Sequence, residues 1–127
     1  MAIEPKQSNL YETLMQHQDL AAGRWQELSV VEQFANIGSE VGRAMAMHER
    51  GMVERSDAAL VRAFELFDIT LANSSLRPAA RCEVARAREL VADWFYGGNS
   101  YRTSVESWNR YFNQFAVAAN ATRRGTQ

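Results

Sequence analysis

The chain has 127 residues, 46% of them hydrophobic and 23% charged, and a formal net charge of −1. That length is enough to bury one core without disulfides or metal, and the composition is that of an ordinary globular domain. The near-neutral balance excludes a global pull toward nucleic acid or an anionic membrane. The single cysteine, Cys82, excludes an intrachain disulfide and a cysteine-rich zinc site.

The opening MAIEPKQSNL lacks the basic and apolar regions of a secretion signal, and no apolar run is long enough to cross a bilayer. A cytoplasmic protein with a reduced thiol is the expectation. Residues 1–27 are polar and Gln-rich and read as an N-terminal extension, helical or disordered. Leu10, Tyr11 and Leu14 allow a short helix there, stopping near Gly23. Beyond it the apolar residues recur at spacings of three and four, the period of helices. The expected fold is all-α, an antiparallel four-helix bundle over residues 28–122, followed by a flexible tail at 123–127.

The first long helix opens on a capping box, Ser29 with Glu32, in which each side chain satisfies an exposed backbone N–H. It closes at Gly51, which suits the left-handed C′ position, with His48 and Arg50 as potential positive charge at the negative end of the helix dipole. A second helix is expected from Ser56 or Asp57 to about Asn73, with Leu60, Phe64, Phe67 and Leu71 inward. Pro78 suits the first turn of the third, because its missing N–H has no intrahelical partner there. That helix turns Ala80, Val84, Ala87, Val91 and Trp94 inward and ends at Gly97-Gly98. The fourth opens on Thr103 with Glu106 as a capping box and carries Val105, Trp108, Phe112, Phe115 and Ala119 on one face.

Several patterns bear on function. In NIGSEVGRAMAMHERG, residues 36–51, Gly38, Gly42 and Ala46 align into a small-residue flank that lets another backbone approach closely. The plainer reading is packing within the chain; the sharper one is a contact with another subunit. Leu66 and Ile69 lie off the core stripe of the second helix and add a further apolar face, so Gly38, Gly42, Ala46, Leu66 and Ile69 form the candidate interface of a homo-oligomer.

Arg43 and His48 have the R-x4-H spacing that resembles the R-x4-6-H motif of the HEPN superfamily, small helical bundles that are often dimeric, metal-independent ribonucleases. A histidine exchanges protons near neutral pH and an arginine stabilises charge on a phosphate. Five residues on a regular helix, however, set the two side chains about 140° apart. Arg77, Arg81 and Arg88 make a stripe on the third helix. It reads either as a phosphate-contacting surface or as an intramolecular partner for Asp68.

Other chemistry finds less support. Glu65 and Asp68 form a lone E-x-x-D, half of the acidic magnesium motif of helical nucleotide pyrophosphatases, without its E-x-x-E partner. There is no repeated Glu-x-x-His and no phosphate-cradling Gly loop, so neither a metal nor a cofactor is expected. The dense aromatics Trp108, Tyr111, Phe112 and Phe115 read as core rather than as a base-stacking platform.

Three blocks, VEQFANIGSEVGRAM, RAFELFDITLAN and ARELVADWFYGGNSY, resemble a family of short bacterial all-helical proteins of unknown function. The resemblance spans most of residues 25–120, implies a stand-alone bacterial domain and brings no catalytic residues. The leading functional expectation is a self-associating module that acts through protein contacts, with a HEPN-like ribonuclease using Arg43 and His48, or a nucleic-acid binder using Arg77, Arg81 and Arg88, as the alternatives.

Overall fold

A computed structural model describes residues 23–125, with side chains through residue 121. Four long helices carry the fold: α1 (Val30–Glu49), α2 (Val53–Leu71), α3 (Pro78–Tyr96) and α4 (Val105–Gly125). Residues 23–27 form a further helical segment ahead of α1. No strand occurs among the described residues.

The connections are short, and cross-helix pairs give each adjacent pair an antiparallel sense. Ser56 of α2 bonds to Ala44 near the end of α1, while Arg62 reaches back to Glu40. Arg88 of α3 meets both Asp68 and Phe64 of α2. Tyr111 of α4 reaches Glu83 of α3, and the stack of Phe115 on Phe34 closes the ring between α4 and α1. The result is an up-down-up-down four-helix bundle. Helix α1 packs extensively on both α2 and α4, whereas α3 is held more loosely, chiefly through α2.

Burial follows from helical spacing. Ile37, Val41, Ala44 and Met45 of α1 are fully buried with Ala59, Leu60, Ala63 and Phe67 of α2. Val84, Ala87 and Val91 line the inward face of α3, and Trp108, Phe112 and Ala119 that of α4. Phe64, Leu71, Trp94, Val105 and Phe115, expected to face inward, are only partly buried, at the edge of this cluster. Truncating a side chain such as Phe67 to Ala leaves a cavity that costs about 3–5 kcal/mol.

Helix ends behave as their residues dictate at two places. Ser29 and Glu32 form the reciprocal capping box. At the other end of α1, Met52 N–H donates to the Met47 carbonyl and Gly51 N–H to that of His48, a Schellman closure with Gly51 at φ 78°.

Several expectations require correction. The bundle does not begin at residue 28: Trp25, assigned to the extension, is 7% exposed and belongs to the core, so the boundary falls ahead of it. Its indole N–H donates to Thr70 Oγ1 at 2.7 Å, and its carbonyl accepts from the Gln33 side chain at 2.8 Å. Gly23, expected to stop a helix, lies within the helical segment, while Leu10, Tyr11 and Leu14 lie outside the described residues. Helix α2 starts at Val53 rather than Ser56 or Asp57, because Ser56 is fully buried and donates its hydroxyl across to the Ala44 carbonyl. Helix α4 is capped one residue later than expected: Ser104 and Ser107 exchange side-chain and backbone bonds, whereas Thr103 and Asn99 pair within the preceding loop. The same helix continues to Gly125, through most of the expected tail.

Candidate functional site

Arg43 and His48 share a helix but not a neighbourhood. Arg43 is exposed and bonds to Glu40 at 3.0 Å; Glu40 is also approached by Arg62 of α2 at 3.5 Å. The His48 ring lies edge-on to Trp94 and Phe95 of α3, with centroids 5.4 and 5.7 Å away. One residue therefore faces the α2 side and the other the end of α3, as the helical wheel requires.

The arginine stripe divides in the same way. Arg81 forks onto the backbone carbonyls of Leu71 and Asn73, closing the C-terminal end of α2 with a charged donor. Arg88 donates from Nε to Asp68 at 3.0 Å and lies 4.9 Å above the Phe64 ring, so the anticipated partner is the one it takes. Arg77 is exposed at the N-cap of α3. Asp68 is thus engaged with an arginine, and no cluster of His, Cys, Asp or Glu among the described residues has the arrangement to hold a metal ion.

The small-residue flank meets α4 of the same chain. A Cβ on Gly38 would run into the Phe112 ring, and one on Gly42 would come within 2.7 Å of Asn109 Oδ1. Both glycines therefore serve an intrachain crossing, and Gly38 is buried by it. Leu66 and Ile69 are partly buried against the core, while Ala46 is half-buried.

Close approach of α1 to α4 leaves a groove on the outer side of their seam, because the residues along it are too small to fill it. Its volume is about 470 Å³, and its walls include Ala35, Gly38, Ser39, Asn113 and Ala116, with Arg110 at one end. Ala35 and Ala116 carry it on into a second hollow of about 250 Å³ bounded by Glu32 and Asn120. Val117, which follows the lining residue Ala116 and stands one helical turn from Asn113, is 60% exposed. Sequence reasoning placed Gly38 in a seam but missed this surface, whose signal was Ala116, one turn after the core residue Phe112, with Asn113 one turn before Ala116.

A separate cleft of about 400 Å³ separates α3 from α4, between Cys82, Glu83, Arg86, Leu90 and Tyr111. The Tyr111 hydroxyl donates to Glu83 at 2.8 Å. Burial, and then the Glu83 carboxylate, push its ionisation well above that of an ordinary tyrosine. It is therefore a neutral hydrogen-bond donor at neutral pH. Cys82 is an exposed free thiol.

The loop from α3 to α4 is organised by Asp93. Its Oδ1 accepts from the Ser100 hydroxyl at 2.7 Å and from the Ser100 backbone, and its Oδ2 accepts from Tyr101 N–H at 3.0 Å. These bonds, the Ser100 hydroxyl first, hold its carboxyl below the ordinary value of 3.8. This is a structural staple, for its acceptor capacity is directed into the loop. No helix among the described residues is long and apolar enough to cross a membrane. No family model, curated protein or solved structure matches the chain.

Proposed function

We propose that the chain is a homotypic protein-interaction module of the cytoplasm, akin to the short bacterial helical proteins its sequence blocks resemble. It works through surface contacts rather than through bond-making chemistry. The observation that carries this reading is the outer face of the α1–α4 seam, where an unfilled groove is lined by Asn113 and Ala116 and the next residue of α4, Val117, is exposed. An apolar knob beside a small-residue hollow is the arrangement by which helices dock on one another.

The arrangement of the charged residues favours contacts over catalysis. Arg43 is tied to Glu40, His48 rests on aromatic edges, and Arg81 and Arg88 serve the α2–α3 junction. A ribonuclease needs a proton-transfer group and a phosphate-stabilising group directed at one point.

Multi-angle light scattering of the whole chain at micromolar concentration tests the proposal. A mass of at least twice 14.4 kDa is expected. A monomer across that range would overturn it.

A further inference from the structure

We infer that the α1–α4 groove is occupied by a second copy of this chain, related by a two-fold axis that runs its α4 antiparallel to the first. The inference rests on the self-association reading and specifies its geometry.

Three features on this one face are mutually complementary. First, the groove is a hollow, and Val117, 60% exposed, follows the lining residue Ala116 and stands one helical turn from Asn113, so one copy can insert this knob where the other has its hole. Second, the ends of the groove carry opposite charge: Arg110 at one end, which makes no ion pair with a described residue, and Glu32 at the other. The capping box engages Oε1 of Glu32 and leaves the second carboxylate oxygen for an incoming cation. Third, the amide of Asn113 between them has both donors and an acceptor, so it can pair with its own copy.

The register of these features agrees. Because Gly38 faces Phe112 and Phe34 stacks on Phe115, Glu32 lies level with about residue 118 of α4. An axis near Gln114 then superimposes the level of Arg110 on that of Glu32 in the other copy, about 12 Å along α4 at the helical rise. The same rotation carries Val117 to about the level of residue 111, beside the groove walls Gly38, Ser39 and Asn113. A parallel arrangement would place Arg110 beside Arg110 and Glu32 beside Glu32, like charge against like. A two-fold contact repeats each favourable pair, so the charge pairing and the knob insertion each occur twice.

Cysteine cross-linking on the whole chain tests the register, with Cys82→Ser as background so that no other thiol interferes. Asn113 lies next to the proposed axis, whereas Asn120 is displaced from its own copy by about 18 Å along α4, beyond the reach of a disulfide. Both are exposed, so neither substitution disturbs the core. Under mild oxidation Asn113→Cys is expected to form a covalent dimer and Asn120→Cys to remain unlinked. Val117→Arg, also at an exposed position, is expected to raise the dimer dissociation constant at least tenfold with an unchanged helical circular-dichroism spectrum. If the parent chain is dimeric but Asn113→Cys does not cross-link, or Val117→Arg leaves the dimer intact, this geometry is overturned while self-association stands. A parent chain that is monomeric by light scattering, with the groove left to another segment or partner, overturns both.

Discussion

Gly38 and Gly51 share the absence of a side chain, and they answer opposite needs. Gly38 has helical backbone and no room for a methyl group, because the Phe112 ring occupies the space. Gly51 has ample room but a φ of 78°, which an L side chain rarely adopts. Gly38→Ala is therefore an overpacking change, expected to lower unfolding free energy by about 1–3 kcal/mol. Gly51→Ala is a backbone change, expected to cost about 1–2 kcal/mol. Urea denaturation distinguishes them: the Gly38 defect should be relieved by Phe112→Leu in the same chain, and the Gly51 defect should not. The Gly51 turn was legible in the sequence because the helix stopped there. The constraint on Gly38 was legible only as a spacing, since nothing in the chain order says that Phe112 stands opposite it.

At the scale of elements, ends and junctions carry most of the polar chemistry. The true cap of α4 is Ser104, so Ser104→Ala is expected to cost about 1 kcal/mol in thermal or urea unfolding, and Thr103→Ala, whose bonds to Asn99 are made by its backbone, much less. The sequence offered Thr103 with Glu106 as the more familiar pattern. What displaced the start by a residue is the Asn99–Thr103 pair, a loop bond with no periodic signal.

Arg81 is a second junction. Arg81→Ala should destabilise the chain by about 1.5–3 kcal/mol, because the carbonyls of Leu71 and Asn73 lose a charged donor, and Arg81→Lys should recover only part of this since an ammonium cannot fork. A nucleic-acid role for the stripe would instead show chiefly as lost salt-sensitive retention. Asp93 supplies a pH signature. Its carboxyl is held below the ordinary value, so its contribution is fully present above that value and is lost as pH falls through the lower folded one. Chemical denaturation of the parent and Asp93→Asn should show a stability gap at pH 7 that closes on acidification below about 3.8.

For the whole molecule, α1 is the shared wall on which α2 and α4 both pack, while α3 leans mainly on α2 and leaves a cleft toward α4. Self-association through the α1–α4 face predicts a melting temperature that rises with protein concentration, because only the folded chain forms the assembly. A tenfold dilution series followed by circular dichroism checks it; a constant midpoint would count against association. The helix number, the approximate bounds and the centre of each inward face were readable from periodicity, caps and breakers, because those signals are local and repeat within a few residues. Tertiary structure alone placed Trp25 in the core, since its partner Thr70 lies 45 residues away in the chain. It also decided that Gly38 and Gly42 face α4 of their own chain, and that Arg43 and His48 serve different neighbours. Such pairings depend on which helix stands beside which, and a one-dimensional pattern gives the face a residue occupies without the identity of what it meets.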